Sequence, residues 1–137
     1  MKTKFKTEIG VGECAGVLID LVATLIFEAE EKLDWAKSSF DDELYADSIY
    51  HSYAAILSAA KALLLDKSVP TNTHHGIIND FDKQYVETNE IKLSNTFKEF
   101  VLQINQNEPS KQFAKNYLEE AIDFIQQAKE IRNRQNS

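Results

Sequence analysis

Asp41-Asp-Glu-Leu-Tyr-Ala-Asp-Ser-Ile-Tyr-His-Ser-Tyr-Ala-Ala-Ile-Leu-Ser-Ala-Ala-Lys-Ala-Leu-Leu-Leu65 is the stretch that decides the fold. It contains neither Gly nor Pro. Tyr45, Ile49, Tyr53, Ile56, Leu57, Ala60, Leu63 and Leu64 recur at three- and four-residue spacing, the period of one buried helix face. Ala54, Ala55, Ala59, Ala60 and Ala62 are small enough to let another helix approach closely. The spacing predicts a central helix ending near Leu65, with Asp41, Asp42 and Glu43 at its start, where free backbone N–H groups and the positive dipole end favour acid.

Working outward, the same period recurs on both sides. A first helix is expected from about Val17, with Val17, Leu18, Leu21, Val22, Leu25, Ile26, Ala29, Leu33 and Ala36 on its apolar face and Glu28, Glu31, Lys32 and Asp34 opposite. Ile19, Ala23 and Phe27 make its first half apolar nearly all round, which calls for several neighbours or a partner. Residues 1–16, with Gly10, Gly12 and Gly16, read as an irregular lead-in. After the central helix, Pro70 blocks continuation, and Asn72 or Thr73 can cap a short third helix carrying Ile77, Ile78, Phe81 and Tyr85. A fourth helix is expected over Lys92–Ile104, with Phe97, Phe100, Val101 and Ile104 inward, and a fifth from near Pro109, with Phe113, Tyr117, Ala121, Ile122, Phe124, Ile125 and Ala128. The expectation is an all-α fold: an antiparallel up-and-down bundle of four long helices plus one short helix over residues 17–133, with 134–137 a tail.

Composition narrows the function. Among 137 residues there are only four Gly and two Pro, too few for the frequent tight turns of an all-β fold. A formal charge of −7 opposes approach to a phosphate backbone and argues against nucleic-acid binding. The lysines at 2, 4 and 6 and Lys129, Arg132 and Arg134 read as solvated tails. With Cys14 the only cysteine, no internal disulfide or thiolate metal cluster is available, and a reducing cytoplasm fits. The apolar run 14–27 is shorter than the ~20 residues needed to cross a bilayer, so no membrane role is expected.

Several constellations invite chemistry and fail on spacing. Gly10, Gly12 and Gly16 read G-x-G-x-x-x-G, without the strand–helix context of a phosphate loop. His51, His74 and His75 are the only histidines; Asp47 and His51 share a helix face at i, i+4, but adjacent His74 and His75 cannot both point one way. No metal site is expected. Cys14 beside Glu13 lacks the cationic setting of a nucleophile. Asp41, Asp42, Glu43 and Asp47 lack the ligand spacing of a calcium loop.

Ser48-Ile-Tyr-His-Ser-Tyr-Ala-Ala55, continuing through Ala59-Ala-Lys-Ala-Leu-Leu64, resembles the Arg-x-Tyr-Tyr-Ala core helix of HEPN domains. Thr73-His-His-Gly-Ile-Ile-Asn-Asp-Phe81 is similar to their Thr-His-x-Gly-hydrophobic-x-x-Phe segment, and Tyr117-Leu-Glu-Glu-Ala-Ile-Asp-Phe124 to their last helix. The ordered set covers residues 17–131. This resemblance implies an antiparallel helical bundle, often dimeric, tied to nucleotide or RNA chemistry and to nucleotidyltransferase partners. It also implies, for RNA-cleaving members, an Arg followed four to six residues later by His. Here the only arginines, Arg132 and Arg134, follow every histidine, and His51 stands where the core-helix Arg is expected, so ribonuclease action by that pair lacks both charge stabilisation and a proton shuttle.

A narrower resemblance, Ile9-Gly-Val-Gly-Glu-Cys-Ala-Gly-Val-Leu-Ile-Asp20, is to the junction in sulfite or nitrite reductase haemoproteins that end in a HEPN-like appendix. It implies a non-catalytic interaction or ligand-binding module that is the C-terminal domain of such a reductase or docks to its catalytic domain. Siroheme and an iron–sulfur cluster would then belong to the reductase part alone, and this chain would hold no cofactor. The alternative is a free-standing nucleotide-binding or antitoxin-like HEPN protein paired with a nucleotidyltransferase or RNA-cleaving system. Either way, the expected ligand groove lies between the central and short third helices, lined by Tyr50, His51, Tyr53, His74 and Asn79, with a homodimer or docked partner.

Overall fold

The computed structural model describes residues 11–135 except 70 and 72, with side chains described over 21–134. The chain is all-helical, with α1 (Val11–Asp41), α2 (Tyr45–Asp66), α3 (His74–Phe81), α4 (Phe97–Leu102) and α5 (Lys111–Gln135). No strand occurs among the described residues. The all-α bundle is as expected, but its lengths fall differently: α1, α2 and α5 are long, and the third position of the bundle is shared by two short helices. The parts of the lead-in before residue 11, the side chain of Cys14, Pro70, Asn72 and the last two residues lie outside the described residues.

Helix α1 starts six residues before the expected Val17 and continues five beyond Ala36, because Phe40 still packs on the core. Asp41 therefore closes α1 instead of opening α2, and α2 is entered through Leu44 with no side-chain cap. The three-residue turn is closed by Leu44 N–H donating to Ser39 O at 2.8 Å, with Glu43 in the left-handed region at φ 64°. So short a connection makes α1 and α2 antiparallel neighbours. The acid in the first turn of α2 is Asp47, not the expected Asp41, Asp42 and Glu43.

Helix α2 is central. Its stripe Ser48, Ser52, Ala55, Ala59 and Ala62 is buried. Ser48 Oγ donates to Ala36 O of α1 at 2.8 Å, and Ala62 packs with Val22, Leu25 and Ile26. On the other side, Phe81 of α3, Phe97 and Phe100 of α4, and Phe124 of α5 form an aromatic core with ring centroids 4.4–6.3 Å apart. Arg132 near the end of α5 lies 3.7 Å from Asp66 at the end of α2, and Tyr117 near the start of α5 feels Tyr53, so α2 and α5 run the same way.

The third helix is capped by Thr73, whose hydroxyl accepts the Gly76 N–H at 2.9 Å. A side chain at Gly76 would collide with Thr71 and Thr73, which is why glycine sits there. A π-helical turn, Asp82–Val86, follows. It swings Tyr85 under α2, where the phenol donates to Leu63 O at 2.6 Å and the ring lies 4.1 Å below the Lys67 ammonium. Burial, then Asp66 and Glu90, push the Tyr85 phenol well up. Lys67 bonds Glu90 at 2.6 Å and holds that carboxyl below its usual range against the opposing effect of burial. Helix α4 begins five residues later than the expected Lys92. Its start is fixed by a Thr96–Glu99 capping box and by Asp82, whose carboxylate accepts the Phe97 N–H at 2.6 Å.

Candidate functional site

A groove of about 430 Å³ opens where α1, α2 and the start of α3 diverge. Its floor is apolar, from Leu25, Ala54, Leu57 and Ile77. Toward the α1–α2 turn the walls are aromatic. Trp35 of α1 meets the His51 imidazole edge-on with centroids 5.8 Å apart, Tyr50 meets the same imidazole at 5.9 Å, and Tyr53 meets His74 at 6.0 Å. One helical turn farther from the bend, the Lys32 ammonium donates to Ser58 Oγ at 2.9 Å, bridging α1 to α2, and Lys61 and Glu28 complete the lining.

The groove is accessible at its aromatic end. Trp35 is 52% and Tyr50 is 61% exposed, while His51 and Tyr53 are half-buried. Burial, reinforced by neighbouring Tyr50, raises the Tyr53 phenol, so Tyr53 offers a neutral O–H donor at physiological pH. The chemistry available is that of a binding site: π faces for stacking, imidazole and phenol groups for hydrogen bonding, and ammonium groups for an anion.

Four of the residues singled out in the sequence, Tyr50, His51, Tyr53 and His74, line this groove. Asn79 does not. It lies on the exposed side of α3, where its amide pairs with His75 Nε2 at 3.1 Å, one turn earlier. Sequence reading missed the α1 wall. Glu28, Lys32 and Trp35 lie at i, i+4 and i+7 beside Leu25, a stripe that reads as solvated until α2 is placed against it. Leu21, expected on the buried face of α1, is 45% exposed.

A second hollow of about 500 Å³ lies between α4 and α5, over Phe100, with Gln103, Asn116, Glu119, Glu120 and Asp123 around it. Among the described residues no group of three or more His, Cys, Asp or Glu is arranged to hold a metal ion. No described helix is long and apolar enough to cross a membrane.

Comparison with known proteins places these features. Two proteins of Methanocaldococcus jannaschii match about half of the chain. One, named "Putative toxin MJ0605", is 42% identical over 65 residues, 47% of this chain and 48% of its own length. The other, "Putative toxin MJ0142", is 31% identical over 67 residues, 49% of this chain and 46% of its own length. The match thus spans about half the length of these relatives. Both carry toxin names and neither is named as a reductase, so the reductase-linked expectation finds no support in them. The HEPN domain model matches residues 22–137, nearly the whole of the described bundle, and the chain belongs to the HEPN domain family.

Proposed function

We propose that this chain is a non-catalytic HEPN module that binds a nucleotide in the α1–α2–α3 groove and works as one member of a toxin–antitoxin-type pair. Its counterpart would be a nucleotidyltransferase or an RNA-cleaving protein. The observation that carries this reading is the convergence of Trp35, Tyr50, His51, Tyr53 and His74 on one groove of about 430 Å³, a size and lining suited to a small ligand with a flat aromatic ring. Family membership and the toxin names of the two relatives support the pairing. The non-catalytic part rests on the sequence: no arginine precedes any histidine, so the Arg-to-His spacing of RNA-cleaving members has no counterpart in it. No step of this reading uses siroheme or an iron–sulfur cluster.

Trp35, the single tryptophan of the chain, makes the test direct, since its emission reports on the groove. Titration with adenine and guanine nucleotides should change that emission saturably, with calorimetry giving the affinity independently. His51→Ala, at a half-buried surface position, should leave the helical content intact and weaken binding about tenfold by removing the imidazole between Trp35 and Tyr50. Equal affinity in the variant would overturn the site assignment.

A further inference from the structure

We infer that the end of the groove away from the α1–α2 turn is an anion grip built from Lys32, Ser58 and Lys61, so that the ligand is a mononucleotide held by its phosphates. The inference rests on the nucleotide reading above and specifies the part of the ligand that provides charge.

Four lysines among the described residues are half-buried: Lys32, Lys61, Lys67 and Lys129. With its stem covered, such a lysine holds its ammonium near the protein surface, where an accompanying anion is favourable. Lys67 finds one in Glu90 at 2.6 Å, and Lys129 in Glu30 at 2.7 Å. Lys32 and Lys61 do not: among the described residues neither forms an ion pair, and both line the same groove. Lys32 is nevertheless held in place. Its Nζ donates to the buried Ser58 Oγ at 2.9 Å, leaving two N–H donors of the three that an ammonium carries. Lys61 follows Ser58 by three residues on α2, on the same face.

Two cations outside any ion pair, one of them pinned by a hydroxyl, lie beyond a cluster of rings, Lys32 one turn from Trp35 and Lys61 two turns from Tyr53. A nucleoside phosphate has that order of parts, base then phosphate, in one small molecule. Glu28 is the one carboxylate in the lining, and it precedes Lys32 by a turn. It leaves the groove locally positive by one charge in a chain of net charge −7. An RNA strand is a poorer fit: it would ask for a basic track with successive stacking platforms, whereas the groove offers two lysines at one end.

Calorimetry on the whole chain, without divalent cations, with ATP, adenosine and inorganic tripolyphosphate separates the possibilities. ATP is expected to bind about tenfold or more tightly than adenosine at low salt, with the advantage shrinking as salt screens the lysines. Lys32→Gln combined with Lys61→Gln should erase that advantage and leave adenosine affinity unchanged. Ser58→Ala, a milder change that frees Lys32, should weaken ATP a few-fold, and Glu28→Gln should strengthen it. Equal binding of ATP and adenosine would overturn the grip while leaving the nucleotide reading intact. Tripolyphosphate binding as tightly as ATP would support the grip and overturn the nucleotide reading. Failure of all three ligands to bind would overturn both.

Discussion

Helix α2 is held from two sides by seams of opposite construction. Against α1 it presents a stripe of serine and alanine, Ser48 to Ala62, which meets Ala29 and Ala36, both fully buried. Against α3 and α5 it meets rings, with Phe81, Tyr85, Tyr117 and Phe124, backed by Phe97 of α4, all sealed from solvent. Small residues bring two backbones close, and long side chains at the margin of such a seam must then splay outward. Lys32, Trp35, Tyr50, His51 and Lys61 are those marginal residues, and the groove is the space between them. Large rings do the reverse: they hold helices apart and fill the space they create. The groove therefore belongs to the small-residue seam, and the largest sealed side chains to the aromatic one.

The strongest way to break this contrast is to hollow out the aromatic seam. Phe97 is fully buried and its ring lies 4.4 Å from that of Phe81 and 5.6 Å from that of Phe124. Phe97→Ala is expected to cost ~3–5 kcal/mol of stability, since the lost transfer energy is compounded by a cavity. Urea denaturation followed by circular dichroism would measure it. A loss below about 1 kcal/mol would mean that the rings do not carry the bundle.

The small-residue seam is sharpened by the opposite manipulation. Ala55 is fully buried on the α2 stripe between Ser52 and Ala59. Ala55→Leu should wedge α1 away and cost ~1–3 kcal/mol through overpacking. Because Trp35 and His51 face each other across that seam at 5.8 Å, the same wedge should shift Trp35 emission. Phe97→Ala should leave Trp35 emission nearly unchanged under native conditions. Similar spectral changes in the two variants would remove the distinction between the seams.

The sequence made these regions legible to different degrees. Periodicity over 45–65 sufficed for α2, and Ile77, Ile78, Phe81 and Tyr85 are buried as their spacing required. Such positions are legible because burial repeats along one helix. Phe97, Phe100 and Val101 of α4 are buried as expected too, but the start of that helix was not legible, because it depends on Asp82, fifteen residues earlier, and on a capping box at Thr96. Among candidate site residues, those on α2 and His74 came together because they share one wall. The α1 wall was missed for a physical reason: whether Lys32 and Trp35 face water or a groove depends on how closely α1 approaches α2, and a single helix's pattern does not encode that distance. Asn79 was misplaced because its side chain is satisfied by His75 on its own helix, a local bond that competes with any inward orientation.

The smallest effect tests how dry the small-residue seam is. Ser48 and Ser52 stand one turn apart on the α2 stripe and both are fully buried. They differ in one respect: the Ser48 hydroxyl donates to Ala36 O at 2.8 Å, while the Ser52 hydroxyl has no described partner. Removing a satisfied hydroxyl gives up a hydrogen bond, at a cost of about 0.5–1.5 kcal/mol. Removing an unsatisfied one relieves the penalty of its desolvation. Ser48→Ala should therefore lower the urea midpoint, and Ser52→Ala should leave it unchanged or raise stability by up to about 1 kcal/mol. If Ser52→Ala were as damaging as Ser48→Ala, the Ser52 hydroxyl would have to be paired across the seam, and the close approach of α1 to α2 would depend on two hydrogen bonds instead of on the small size of the residues between them.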